Sequence, residues 1–194
     1  MTRINFLALL ILLLGAMAYG IIEWRNSHIT PDDSIENELT PDFIAEALKS
    51  DTYTQLGQLS YSVVADRMEH YAKLEVTHFE SPNYILYPKN NIQTKKKNYP
   101  WKLSAKEATL YKNNRVILNH RVHLTATDEN SLIQEIHCKY LELDLNTNII
   151  SSDQTVMVQG KDFTMYGSGL IIDLNTKQMT LTEHVRTTYK KNNS

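Results

Sequence analysis

The chain has one cysteine among 194 residues, six glycines and five prolines. A single cysteine cannot form an internal disulfide, so stability must come from the core and the backbone hydrogen bonds. The net charge is only −2, which excludes the strongly basic surface that binding to nucleic acid needs. The few glycines form neither a phosphate-binding loop nor a nucleophile elbow, so the sequence lacks the motifs of two large enzyme classes.

Seven histidines are enough to supply a metal site. However, the sequence has no His-x-His pair, and His120 and His123 stand three apart in a strand-like run, which predicts opposite faces. No carboxylate stands at a spacing that would support them. Asp66, Arg67 and Glu69 are interpreted as charges on an outer face rather than an acid–base pair. The sequence therefore predicts no metal, no cofactor and no catalytic residue.

One long apolar run is present, from Ile4 to Ile22. As a helix it would span roughly 28 Å, close to a hydrocarbon core of about 30 Å. Arg3 weakly favours a cytoplasmic amino terminus. The alternative is a signal peptide cleaved after Ala18. We expect residues 1–23 to form an uncleaved single-pass anchor, with the rest of the chain exported.

Charge is distributed unevenly along the chain. Residues from Glu23 to Ser60 contain eight acids and two bases, whereas those from Tyr61 onward contain 17 bases and 14 acids. Residues 24–40 are polar, acidic and poor in large apolar side chains, which predicts a flexible tether. The mild basic surplus of the remainder suits contact with anionic head groups, or is simply a solvated outer face.

From Leu59 onward apolar and polar residues alternate with a period of two, which predicts β-strands. Asparagine-rich turn signals separate the runs. The segment 144–147 (DLNT) recurs 29 residues later as 173–176 (DLNT). The pattern predicts repeated β-hairpins with their apolar faces on one side, in a sandwich or an open roll. Gly167-Ser168-Gly169 interrupts a strand, which predicts a bulge where the sheet bends.

The segment before these strands gives two signals. Thr40-Pro41-Asp42 has the pattern of a helix start, with a capping threonine, a proline at the first position and an acid. The alternation around Phe43 also permits a first strand, although local signals slightly favour the helix. Cys138, in the strand-like run from Ile136 to Leu145, is interpreted as a small apolar filler.

Five features occur in an order that resembles the LptC family of lipopolysaccharide-export proteins. They are the apolar N-terminal run, Pro41-Asp42-Phe43, residues 61–71 (YSVVADRMEHY), residues 101–108 (WKLSAKEA), and the pair Ser152-Asp153-x-x-Val156 and Gly167-x-Gly169-Leu170. The resemblance implies that residues 41–190 form an all-β domain, a twisted open β-jellyroll of two antiparallel sheets. It also implies that Phe43 lies in the first strand rather than in a helix. The long, lysine-rich run from Asn90 to Tyr99 departs from the family pattern.

The resemblance implies a function in lipopolysaccharide transport. The protein would sit in the bacterial inner membrane with its domain in the periplasm. It would accept lipopolysaccharide from an ABC transporter with subunits of the LptB, LptF and LptG type, and pass it to a periplasmic bridge protein of the LptA type. Each acyl methylene left in water costs about 0.8 kcal/mol, which an apolar groove would remove. The alternatives are a docking scaffold that binds no lipid and a secreted soluble bridge protein.

Strand phase and repeat position select the residues expected to line this groove. They are Val63, Ala65, Leu103, Ala105, Leu118, Leu124, Leu143, Ile150, Val156, Ile172 and Met179. Partners are expected to dock on sheet edges. The first strands near Phe43 would face the transporter, and the last strand near Val185 would face the soluble partner, with Gly169 and Thr187 as further docking residues.

Overall fold

The structure is a computed structural model that describes residues 40–88 and 99–189, together with Tyr19 and Glu23. Apart from Tyr19, Glu23 and Thr40, the expected anchor and tether lie outside the described residues, and so does most of the lysine-rich run. The described residues contain no helix that is long and apolar enough to cross a membrane. The chain divides into two units, and the fold described below belongs to the second, from Pro41 onward.

Residues 40–88 and 99–189 form twelve strands, all paired antiparallel. They are β1 (Phe43–Tyr53), β2 (Leu59–Tyr71), β3 (Val76–Glu80), β4 (Asn83–Leu86), β5 (Trp101–Ser104), β6 (Glu107–Tyr111), β7 (Arg115–Ala126), β8 (Ile133–Asp144), β9 (Ile149–Ser152), β10 (Val156–Gly160), β11 (Phe163–Asp173) and β12 (Gln178–Tyr189). The predicted turns fall between strands, so the all-β prediction is confirmed.

The long strands each pair with two different short strands. In β7, residues 116–119 pair with β6, whereas residues 123–126 pair with β5. Strands β2, β8 and β11 are divided in the same way. We call the part that contains β4, β5 and β10 the β5 half, and the part that contains β3, β6 and β9 the β6 half. Because the long strands continue through both halves, hydrogen bonds join the strands into one continuous sheet, whereas a jellyroll of two antiparallel sheets was expected.

A bulge in β7 marks the passage between the halves. The pairing of β7 with β8 shifts between Asn119 and Val122, and the intervening His120 and Arg121 have φ values of 60° and 52°. An extra residue in one strand bends it and increases its twist. The bulge therefore lets β7 turn from the β6 half into the β5 half.

The sheet is irregular at Gly167-Ser168-Gly169, as predicted, but the extra residue of the bulge lies on the neighbouring strand β12, where His184 and Val185 face Gly167 alone. The pairing of β11 with β12 shifts between Tyr166 and Ser168, and Gly169 has a φ of 66°. A Cβ atom on Gly169 would stand 2.0 Å from Thr182 Oγ1 of β12. Glycine is needed here for both its backbone conformation and its small size.

The two matching turns have the same geometry. In turns 144–148 and 173–177 the aspartate Oδ1 accepts hydrogen bonds from the backbone N–H groups two and three residues later, at 2.8–3.3 Å. The last residues of the two turns, Asn148 and Lys177, have φ values of 58° and 59°. The Asn148 amide donates to Asn175 Oδ1 at 3.2 Å, so the side chains also join one turn to the next. The repeat seen in the sequence is thus a repeat of turn geometry.

The first strand shows why the local helix signal is wrong. Phe43 begins β1, as the family resemblance implied. Asp42 caps no helix: its Oδ2 accepts a hydrogen bond from the Ala72 backbone at 2.7 Å, and its own N–H donates to the His70 carbonyl at 2.8 Å. Pairing with β2 therefore supplies the hydrogen bonds that a helical turn would have made locally.

Candidate functional site

All eleven expected groove residues lie in the packed core or against it. Nine of them are at most 5% exposed, and the other two, Ala105 and Met179, are partly buried beside them. The nine are Val63, Ala65, Leu103, Leu118, Leu124, Leu143, Ile150, Val156 and Ile172. They come from both halves and form one cluster, so the two halves close over a shared apolar core.

A cavity of about 540 Å³ opens between the halves beside the last two strands. Phe163, Met165 and Thr187 line it from the β5 half, and Ile172 and Met179 line it from the β6 half. Ile172 and Met179 are the two expected groove residues that line this cavity as well as packing with the core, and Thr187 was expected to dock a partner. Ile172, Met179 and Thr187 therefore line one cavity. The sequence had assigned the first two to the groove and the third to partner docking.

The rest of the wall combines an apolar floor with a polar rim. Trp101 and Ile133 contribute buried surface, and Asp128 and residues 130–132 of the loop between β7 and β8 line one side. Leu132 in this loop is 77% exposed. The volume lies within the range of about 300–1,000 Å³ that is common for small-ligand sites. The cavity can therefore hold part of an apolar ligand, with the polar part left at the rim.

An ion pair spans the rim of the cavity. Lys177 Nζ, in the turn between β11 and β12, lies 3.2 Å from Asp128 Oδ2 in the β7–β8 loop. Both side chains also line the cavity and are less than one third exposed. The pair links two segments that are far apart in sequence at the place where a ligand would enter.

The two expected docking strands lie at the edges of the sheet. Within residues 40–88 and 99–189, β1 pairs with β2 alone and β12 pairs with β11 alone. Phe43 is 57% exposed and Val185 is 48% exposed. An open edge presents backbone N–H and C=O groups that can pair with another strand. Gly169, by contrast, lies inside β11, where it permits close approach of Thr182 rather than facing an open edge.

The structure also brings together three polar side chains that sequence reasoning missed. The Nε2 atoms of His123 on β7 and His137 on β8 lie 3.4 Å and 3.1 Å from Glu135 Oε2. The two imidazole rings stack with their centroids 4.2 Å apart. The hydrogen bond with His137 lowers the pKa of Glu135. The available signal was Glu135-x-His137, which places both side chains on one face, but the pairing with His123 depends on strand register.

His120 does not join this group. The bulge in β7 breaks the alternation from which opposite faces were predicted, and the side chains of both His120 and His123 remain accessible. His120 Nδ1 instead lies 3.7 Å from Glu107 Oε2 on β6. His120 therefore lies near Glu107 and His123 near Glu135. The two histidines are kept apart by these different contacts, and not by pointing to opposite faces of the strand.

Comparison with known proteins decides the family. The model of the family described as "Lipopolysaccharide-assembly, LptC-related" matches residues 8–190, nearly the whole chain. The chain belongs to the LptC-related family. It is 29% identical over 193 residues to the lipopolysaccharide export system protein LptC of Haemophilus influenzae, covering 92% of each chain. It is 26% identical over 159 residues to LptC of Escherichia coli K12, covering 82% of this chain and 80% of that protein. The resemblance inferred from the motifs is confirmed.

The fold has a counterpart among solved structures. The crystal structure of LptH from Pseudomonas aeruginosa, described as the LptA homologous periplasmic component of the lipopolysaccharide transport device, matches with a TM-score of 0.51. The match covers 68% of this chain and 95% of that one at 11% identity. At this identity the likeness shows the shared fold alone.

Proposed function

We propose that this LptC-related chain carries lipopolysaccharide during export, and that the acyl chains enter between the two halves at the cavity beside β11 and β12. The cavity is the observation that carries the proposal. It has apolar walls contributed by both halves and a polar rim at Lys177 and Asp128. This arrangement suits an amphipathic cargo whose chains are buried and whose sugars stay in water.

Partial entry is what the observed volume permits. The core residues behind the cavity are packed, and the space of about 540 Å³ is too small for a whole lipopolysaccharide. Further entry requires the halves to separate, with acyl chains replacing core contacts. Each methylene moved out of water contributes about 0.8 kcal/mol towards that separation. Acyl chains that enter only partly are bound but can still be released, as a carrier requires.

The partners follow from the family and from the two open edges. In this proposal β1 receives a membrane subunit of the transporter, of the LptF or LptG type with its LptB-type ATPase, and β12 receives a bridge protein of the LptA type. Residues 1–23 hold the chain in the inner membrane as a single-pass anchor, residues 24–40 form the tether, and the β-domain lies in the periplasm. Strand addition at the two edges would make one continuous sheet across the partners.

Two substitutions on neighbouring positions of β11 test the lipid site. Met165 lines the cavity, whereas Tyr166 is 45% exposed and absent from the cavity wall. We expect Met165→Asp to reduce the lipopolysaccharide that co-purifies with the full chain several-fold, because a carboxylate in the cavity is costly to desolvate. Tyr166→Asp is the matched control and should leave the amount unchanged. Equal amounts in both variants would remove the cavity from the transport path.

Docking at β12 is tested separately. A photo-crosslinking residue at Val185 should give an adduct with a soluble protein of the LptA type, whereas the same residue at exposed Ile171 of β11 should not. Adducts from both positions would mean that the bridge protein does not dock specifically on the β12 edge.

The packed core favours one alternative function. Because all eleven expected groove residues lie in or against a packed core, the domain could serve as a docking scaffold that binds no lipid. In that case Met165→Asp would leave lipid content unchanged while the Val185 adduct persisted. The two experiments together therefore distinguish carrier from scaffold.

A further inference from the structure

We infer that His123, Glu135 and His137 form a binding site for a divalent transition metal ion, best suited to zinc, on the outer face of β7 and β8. The candidate ligand atoms are two imidazole nitrogens and one carboxylate oxygen, and they lie within 4.8 Å of one another. The site is separate from the cavity and from both sheet edges, and it does not depend on the proposed function.

The sheet itself fixes the positions of the three ligands. His123 and His137 are directly opposite in the register of β7 and β8, and Glu135 precedes His137 by two residues on the same face. Pairing resumes at Val122 after the bulge, so the ligands lie on the first regular stretch of this ladder in the β5 half. Ligands held on paired strands need little rearrangement to bind an ion, which favours affinity.

The distances fit tetrahedral coordination. With zinc–nitrogen and zinc–oxygen bonds of about 2.0–2.1 Å, two ligands at the tetrahedral angle stand about 3.3 Å apart. The measured separations from Glu135 Oε2 are 3.4 Å for His123 Nε2 and 3.1 Å for His137 Nε2. The same distances also fit two hydrogen bonds to one carboxylate, which is the alternative that the experiment must exclude.

The chemistry of the donors selects the metal. Two imidazoles and a carboxylate suit zinc, and they also suit copper(II) or nickel(II), but they do not suit calcium or magnesium, which prefer oxygen ligands alone. The three side chains are between one third and one half exposed, so water can complete the coordination shell. Thr125 Oγ1 lies 3.2 Å from His123 Nε2, and the metal would take its place on this nitrogen. A site with three protein ligands and an open position exchanges its metal more readily than a closed four-ligand site.

The test is a zinc titration of the full chain in detergent, prepared without a polyhistidine tag and stripped with a chelator. Calorimetry should show one zinc per chain. Glu135→Gln and His123→Gln should each weaken binding by about 100-fold or more, since even the loss of a supporting outer residue costs about 10- to 100-fold. His78→Gln is the matched control, because His78 is an exposed strand histidine hydrogen-bonded to Thr109 and distant in sequence from the site.

A second measurement needs no variant. Cobalt(II) added to the stripped protein should give the intense visible absorption of a tetrahedral site, and one equivalent of zinc should abolish it. The inference is overturned if wild-type protein binds no zinc, if Glu135→Gln and His123→Gln bind as tightly as wild type, or if His78→Gln weakens binding equally. Weak octahedral cobalt absorption would also overturn it, because it would indicate adventitious surface binding.

Discussion

Lys177 and Asp128 form an ion pair across the rim of the cavity, with Nζ and Oδ2 3.2 Å apart. The pair joins the β11–β12 turn to the β7–β8 loop, and both segments line the cavity. Breaking this ion pair should therefore both lower the stability of the closed domain and ease access to the cavity.

Removing this pair should loosen the closed state. We expect Lys177→Met to lower the free energy of unfolding by about 0.5–1 kcal/mol, in the upper range for ion pairs near a surface. A double-mutant cycle with Asp128→Asn isolates the interaction, and denaturant unfolding measures it. Lys106→Met is the control, since its pair with Glu107 is more than half exposed on the lysine side and should contribute almost nothing. A coupling energy of zero for Lys177 and Asp128 contradicts the prediction.

Gly169 should tolerate no side chain. Alanine there combines a φ of 66° with a Cβ atom 2.0 Å from Thr182 Oγ1. We expect Gly169→Ala to destabilise the domain by about 2 kcal/mol or more, because the left-handed conformation alone costs roughly 1–2 kcal/mol. Gly57→Ala is the control: its φ is 74°, but its Cβ would meet nothing. Thermal unfolding should show a larger loss of stability for Gly169→Ala than for Gly57→Ala. Equal losses of stability would mean that Thr182 moves away from the new Cβ atom at no cost.

Asn148 should be replaceable by glycine more easily than by alanine. It is 3% exposed, its φ is 58°, and its amide donates to Asn175 Oδ1. Both substitutions lose the hydrogen bond, worth about 1 kcal/mol, but only alanine adds the strain of a left-handed backbone. The unfolding free energy should therefore fall further for Asn148→Ala. The reverse order would show that the backbone conformation is not what selects asparagine here.

The turns illustrate how far the sequence alone can reach. The recurrence of Asp144 as Asp173 predicted a repeated hairpin, and the repeat reappears as matching hydrogen bonds because turn geometry depends on local residues. The start of β1 could not be predicted in this way. Thr40-Pro41-Asp42 has the local pattern of a helix, but Asp42 bonds to Ala72 and His70 and the chain continues from Phe43 as a strand paired with β2.

The candidate site depends still more on long-range contacts. Strand phase indicates that Leu118 and Met179 both point inward, but it does not indicate that Leu118 is packed while Met179 lines a cavity. The pairing of His123 with His137 likewise requires the register of β7 and β8, which the bulge after Asn119 shifts. A period-two pattern carries no information about such a shift.

Cys138 should react slowly in the folded protein. It packs against the core, and burial raises the pKa of its thiol to about 11. Because the thiolate is the reactive form, alkylation at pH 8 should be about 100-fold slower in the native chain than in denaturant. The native rate should increase as the pH approaches 11, since deprotonation then becomes favourable. Mass spectrometry after timed alkylation measures both rates, and a native rate equal to the denatured one contradicts burial of the thiol.

The most direct test of the central claim is photo-crosslinking in living cells at two adjacent positions of β12. Met179 lines the cavity, whereas Thr180 is exposed. The account predicts a lipopolysaccharide adduct from a photoreactive residue at Met179 and none at Thr180. Absence of lipid from Met179, in cells where Val185 still crosslinks to a bridge protein, would contradict lipid transport through the cavity and leave the domain as a docking scaffold.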